Sequence, residues 1–279
     1  MGEELPRLGI ATDLFDPTDA ANAEAMLRPE TKAILIEVVS NPTLRVADVE
    51  GLAKLCKAHD VLLIIDNTYT KPHGFSALEH GDDIVLHSVT KLMAGHSDAM
   101  LGWVAATDPA RTERLGVLSA SWGMTAAPFD CWLAERGLYS LPLRHRTAQA
   151  NAAALADALA ETPGVTRVVY PLRDDHPDAQ RAKTLLEGNG GAMVSFEIEG
   201  GRAEANALVT NLDLAFAPTL GDISTTLSHP PTSSHRALTP EGRAALGITE
   251  GFFRLSVGVE PSDALITALQ SAIRAATGR

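Results

Sequence analysis

The sequence predicts an α/β fold, with a mostly parallel sheet in its first half and a smaller α+β unit after it. Three observations carry that reading. Short apolar runs at 33–39 (AILIEVV), 61–65 (VLLII) and 83–87 (DIVLH) have the pattern of buried parallel strands. Between the first two, Val49, Leu52, Ala53 and Cys56 fall at i, i+3, i+4 and i+7, the core stripe of a helix. Strands separated by short helices belong to α/β sheets.

Each element follows in order. Residues 9–15 read as an opening strand. Ser40-Asn41-Pro42-Thr43 ends the 33–39 run with turn chemistry, and a helix covers 46–59. Residues 101–106 read as a fourth strand. From 126 to about 160 the chain is helix-compatible, with a break expected at Leu141-Pro142. Strands are expected at 165–170, 192–198 and 254–258, and a helix at 204–210. Ser262 is placed to cap a last helix with Leu265, Ala268, Leu269, Ala272 and Ile273 on one face. The predicted division is residues 1–125 for the large, sheet-bearing domain and 126–279 for a linking long helix with the C-terminal α+β domain.

Composition narrows the function classes. The 279 residues carry 23 basic and 35 acidic side chains, a formal net charge of −12. That balance argues against general nucleic-acid binding and against a polybasic membrane clamp. Cys56 and Cys131 form no CxxC pair, no apolar run reaches membrane-spanning length, and the first residues lack a signal-peptide pattern. The expectation is a cytoplasmic protein.

Polar residues follow the carboxyl ends of the predicted strands: Ser40 and Asn41, Asp66, then Ser88, Thr90 and Lys91. Open α/β sheets bind ligands at that edge. Asp66 is either a helix cap or an anion that keeps a pyridine nitrogen protonated. Lys91 is either a surface charge or a nucleophile that forms Schiff bases with aldehydes. Ser88 and Thr90, at alternate positions, suit one phosphate. Arg254, inside the apolar run GFFRLSVG at 251–258, is either half of a structural ion pair or a clamp for a substrate carboxylate.

The segment LLIIDNTYTKPHGFSALEHGDDIVLHSVTKLMAG at 62–95 resembles the Cys/Met-metabolism family of pyridoxal-phosphate (PLP) enzymes. That family includes cystathionine γ-synthases and lyases, methionine γ-lyases and O-acylhomoserine sulfhydrylases. Four further segments agree in order: SNPTLRVAD at 40–48, APFDCWLAERGLYSLPLR at 127–144, LGD at 220–222 with SHPPTSSHR at 228–236, and GFFRLSVGVE at 251–260.

The resemblance implies the PLP-dependent transferase type I fold and pyridoxal 5′-phosphate as cofactor, with Lys91 as its Schiff-base lysine. It further implies Asp66 as partner of the pyridinium nitrogen and Ser88 and Thr90 as phosphate hydroxyls. Asn41 would lie near the cofactor's phenolic oxygen and contact substrate, Arg254 would hold the substrate α-carboxylate, and Thr219 would stand at a serine position facing substrate and lysine. Lys91 and Asp66 are then the catalytic pair.

The implied reaction is γ-elimination or γ-replacement on methionine, cystathionine or an O-acylhomoserine, in a homodimer or homotetramer. Ser224 stands where members that handle cystathionine often carry Glu, a departure that points away from that substrate. By the same resemblance Met1 falls inside the large domain, so the expected chain lacks the glycine-bearing phosphate loop and the Tyr and Arg that a neighbouring subunit lends. A second reading is a truncated or degenerate non-catalytic paralogue that binds the cofactor weakly. A third, a metal hydrolase using His80, Asp82, Asp83, His96 and Asp98, matches no HExxH-like spacing, and no metal is expected.

Overall fold

The computed structural model describes residues 4–70 and 74–279; positions 71–73 of the 62–95 segment lie outside these, as do residues 1–3. Among the described residues, β1 (Ala33–Glu37), β2 (Leu62–Asp66), β3 (Ile84–Ser88) and β4 (Gly102–Ala106) form one sheet in that order. β1, β2 and β3 run parallel, and β4 is antiparallel to β3. The helix Val49–His59 crosses from β1 to β2, capped by the Asp48 carboxylate on the Gly51 N–H. Its buried face, Val49, Leu52 and Cys56, packs with Ile34, Ile36, Leu63, Ile65 and Val85. Each fully buried Leu or Ile contributes about 1.5–3 kcal/mol. The strands are not equally dry on both sides: Leu63 and Ile65 are buried while Leu62 and Ile64 are half-covered.

The second sheet holds β5 (Val165–Val169), β6 (Met193–Ile198), β7 (Ala215–Phe216), β8 (Thr226–Ser228) and β9 (Phe252–Ser256). Their spatial order is β5-β6-β9-β8-β7, so β9 is central and buried along its whole length. Phe196 and Phe253 stack at 5.5 Å between ring centres. The helix Pro128–Ala160 buries Ala148, Ala152, Leu155, Ala156 and Leu159 on one side, and the helix Ser262–Thr277 buries Leu265, Leu269, Ala272 and Ile273. These faces share one core with β6 and β9.

Several expectations need correction. Residues 9–15 form no strand: Gly9 has φ +78°, Ile10 and Leu14 are exposed, and a strand without a ladder partner gains nothing in water. Pro142 does not break the long helix, which runs through it. A proline leaves the carbonyl four residues back without its bond, and here both Pro142 and Leu138 lie on the exposed face, where water can solvate that carbonyl. Ser262 begins the last helix instead of capping it, and no side chain caps that end. Ala268 is exposed, so the buried stripe is narrower than expected. Helices Pro109–Ser121 and Ala179–Leu186 went unforeseen. The first buries no residue, and the second is short, so neither leaves a long apolar period to read.

Asp82, just before β3, is 3% exposed, and neither carboxylate oxygen has a hydrogen-bond partner among the described residues. Burial pushes its pKa up. The folded chain therefore takes up this proton more readily than the unfolded chain, and its stability rises as pH falls toward the raised pKa. An unsatisfied buried polar group costs about 1–3 kcal/mol. Asp82→Ala is expected to stabilise the protein by that order at alkaline pH, with the gain shrinking in mild acid. Paired thermal melts at the two pH values check this; a variant less stable than the parent at alkaline pH contradicts it.

Candidate functional site

The site lies where the carboxyl ends of β1, β2 and β3 meet the loops flanking β8 and β9. Parallel pairing with Glu37 opposite Asp66, and Asp66 opposite Leu86, sets the ends of β1 and β2 level and carries β3 two residues further, to Ser88. Asp66 closes β2 half-buried, and its Oδ1 accepts the Thr68 N–H at 2.9 Å. Thr68 Oγ1 in turn accepts the Ser88 N–H at 2.8 Å, tying the end of β3 to the turn after β2.

Lys91 follows in a tight turn. Its N–H donates to Ser88 O at 3.1 Å and its carbonyl accepts from Gly95 N at 2.9 Å. The side chain is half-buried, and its ammonium pKa is pushed down, first by burial and then by the nearby Arg254 charge. A lysine that loses its proton more easily is a better nucleophile at neutral pH. Ser88 and Thr90 line one open cleft of about 510 Å³ together with Leu86, Leu101 and Trp103. Their hydroxyls are not equivalent. Thr90 Oγ1 donates to Leu101 O at 3.2 Å and accepts from Leu101 N at 2.9 Å, whereas the Ser88 hydroxyl has no partner among the described residues.

Arg254 enters from β9. It is 1% exposed. Nη1 donates to Asn41 Oδ1 at 2.9 Å, and Nη2 donates to Pro218 O at 3.1 Å and Thr219 O at 2.7 Å. Nε has no partner, and no carboxylate pairs with this guanidinium among the described residues. Burial alone pulls its pKa down to about 10. The structural ion pair that was one reading of this arginine is therefore not formed. Thr219 contributes its backbone carbonyl to Arg254, with the residue otherwise exposed.

The C-terminal half pins the Asn41 loop. Ser195 Oγ donates to Pro42 O at 2.6 Å, His176 Nε2 bonds Leu44 O at 2.9 Å, and Asp178 accepts two bonds from Arg45 at 2.7 and 2.9 Å. Gly221 (φ +83°) packs on the Lys91 turn so closely that a Cβ there would stand 2.5 Å from Leu92 N and 2.8 Å from Lys91 Cβ.

Asn41, Asp66, Ser88, Thr90, Lys91, Thr219 and Arg254 thus belong to one connected edge. The donor set suits an anionic aldehyde cofactor. It offers an amine whose pKa burial lowers, a carboxylate, an unengaged hydroxyl and a buried cation with no anionic partner among the described residues. Among the described residues no group of three His, Cys, Asp or Glu is placed to hold a metal, and no helix is long and apolar enough to cross a membrane. Sequence reasoning missed Arg144, whose guanidinium is buried against the Lys91 turn. The available signal was a charged residue in register with the apolar face of Leu141, Ala148, Ala152 and Leu155.

The chain is similar to known proteins of one family and fold. The family model for "Cys/Met metabolism PLP-dependent enzyme" matches residues 1–274. Cystathionine beta-lyase MetC of Bacillus subtilis is 40% identical over 273 residues, covering 98% of this chain and 70% of the relative. Cystathionine gamma-lyase of the same organism is 38% identical over 274 residues, covering 98% and 72%. The crystal structure of cystathionine gamma-lyase from Lactobacillus plantarum, complexed with L-serine, superposes with a TM-score of 0.93 at 37% identity, over 98% of this chain and 71% of that one.

The Gly221 contact yields a direct test. Alanine at a left-handed position costs about 1–3 kcal/mol, and the clash with Leu92 N adds to it. Gly221→Ala is expected to lower the urea midpoint, with a loss of unfolding free energy of at least that order. An unchanged midpoint means the 220–222 loop does not press on the Lys91 turn.

Proposed function

The chain belongs to the Cys/Met metabolism family of PLP-dependent enzymes, with that family's type I fold, and from this premise we propose that it is a carbon–sulfur lyase acting on a sulfur amino acid of the cystathionine class, the likeness to relatives named cystathionine lyases outweighing the opposite pointer from Ser224. The observation that carries the proposal is Lys91. It is half-buried, its ammonium is disfavoured, and it follows β3 in the crevice that Arg254 enters from the other sheet. In this reading residues 1–125 are the remainder of the cofactor domain and 126–279 the linking helix and C-terminal domain.

Pyridoxal 5′-phosphate, when bound, supplies a protonated ring that draws electrons from the substrate's α-carbon. Lys91 would hold the cofactor and, once displaced by the substrate amine, move the proton at Cα. The Asp66 carboxylate would keep the ring nitrogen protonated. Ser88 would donate to the phosphate, and Thr90 would join it by turning its hydroxyl from Leu101. Arg254, steadied by Asn41, would receive the substrate α-carboxylate and so set which Cα bond faces Lys91. The Thr219 hydroxyl would border substrate and Lys91. The sulfur leaves as a thiol when it gains a proton. Cleavage of cystathionine with water gives homocysteine, pyruvate and ammonia by β-elimination, or cysteine, 2-oxobutanoate and ammonia by γ-elimination.

A cytoplasmic homo-oligomer is part of the proposal. Trp122, Met124, Phe129, Trp132, Tyr139 and Leu143 are exposed on and just before the first half of the long helix, and apolar patches of that kind favour association.

Borohydride reduction after addition of pyridoxal phosphate is expected to fix the cofactor to Lys91, and Lys91→Ala to abolish the label. Assays with cystathionine, and with O-acetylhomoserine plus sulfide, then read the products. Pyruvate or 2-oxobutanoate from cystathionine supports the lyase and tells β from γ. Label on another lysine, or activity confined to replacement of the acyl group by sulfide, contradicts it, as does a labelled protein that turns over neither substrate.

A further inference from the structure

Lys91 is only as well placed as the turn that carries it. Two carbonyls directly after it, Leu92 O and Met93 O, accept from Arg144 Nη1 at 2.6 Å and Nη2 at 3.0 Å. Nη2 also donates to Gly137 O at 2.6 Å, and Nε donates to Ser140 Oγ at 3.0 Å. Two of the four hydrogen bonds from this planar fork thus join the Lys91 turn to the helix Pro128–Ala160, and the other two hold the fork to its own helix. The contact is close on both sides. A Cβ on Gly137 would stand 2.3 Å from Ala94 O, and one on Gly95 would stand 2.0 Å from Arg144 Nη1. Arg144 is 5% exposed, all four of its acceptors are neutral, and no carboxylate pairs with it among the described residues.

A buried cation held only by neutral groups is costly, and an apolar side chain of similar size would pack there more cheaply. Its fork geometry is what lysine or methionine cannot reproduce. We propose that Arg144 is a positioning residue. It fixes the Lys91 turn against the long helix, so that the Lys91 amine stands in register with Asp66 at the end of β2, and it adds positive potential for an anionic cofactor. This rests on the reading of Lys91 as the cofactor-bearing lysine.

The test uses the full chain with pyridoxal phosphate as probe. It compares the parent with Arg144→Lys, which keeps a charge but loses the fork, and with Ser140→Ala, which releases only Nε. Arg173→Ala serves as a control, because that side chain clamps Asp157 and Asp175 in the C-terminal half. Three quantities are read: apparent affinity for pyridoxal phosphate, circular dichroism of the bound chromophore, and hydrogen exchange of the Ala94 and Gly95 amides in the cofactor-free protein. Arg144→Lys is expected to weaken affinity by at least about tenfold, equivalent to ~1.4 kcal/mol. It should also reduce the induced dichroism and speed exchange at 94–95. Ser140→Ala should shift all three the same way by less. Arg173→Ala should lower the melting temperature and leave all three unchanged. Parent-like affinity and dichroism in the folded Arg144→Lys protein would overturn the proposal, and so would equal shifts in the control. If borohydride fixes no cofactor to Lys91 of the parent, the underlying assignment fails instead, a result that these variants do not mimic.

Discussion

Arg254 and Arg144 are buried guanidinium groups, one near enough to Lys91 to act on its charge and the other bonded to the turn after it, and neither meets a carboxylate among the described residues. Their hydrogen-bonding partners are backbone carbonyls, an amide and a hydroxyl. Dipoles of this kind satisfy N–H groups but leave the net charge uncompensated in a region of low dielectric. The rest of the site follows from that constraint. It disfavours the Lys91 ammonium, since Arg254 adds to the effect of burial. It also leaves a positive potential that an anion can neutralise, and PLP-family ligands are anionic at two points, the cofactor phosphate and the substrate carboxylate.

Holding such charges requires a stiff frame, and the two sheets supply it jointly. Arg254 sits on the central strand of the second sheet and reaches Asn41 beyond the end of β1 in the first. The Asn41 loop is fastened to the second half by Ser195, His176 and Asp178. Gly221 and Arg144 press on the Lys91 turn from opposite sources, one a loop between β7 and β8 and the other the long helix. The core of the first sheet itself includes Val169, Leu186 and Met193 from the second half. A site assembled across such a boundary cannot be moved one wall at a time.

Much of this was legible in the chain. The apolar runs before Asp66 and Ser88 located β2 and β3 to within a residue, because a strand buried on at least one side must be apolar and ends where polar turn chemistry begins. The polar residues at those ends, with Lys91 and the arginine-bearing run at 251–258, marked the edge that forms the candidate site. Elements with weak periods were missed. Pro109–Ser121 buries no residue, and β7 and β8 have two and three residues. The 9–15 segment read as a strand because local pattern cannot reveal whether a ladder partner exists.

The sequence by itself determined the order of the apolar strands and of the helices with a clear buried face, the lysine, aspartate and arginine available for chemistry, and the family to which they belong. Tertiary structure alone decided which arginine meets which carbonyl. Arg144 stands 53 residues from Lys91 in the chain and Arg254 stands 163, so nothing local encodes either contact. It also decided that Arg254 has no anionic partner among the described residues, that Thr90 shares its hydroxyl with Leu101, and that Pro142 is tolerated within a helix. The reason is the same in each case. Hydrogen-bond satisfaction, solvent access and net charge compensation are properties of the packed surroundings, set by segments distant in the chain.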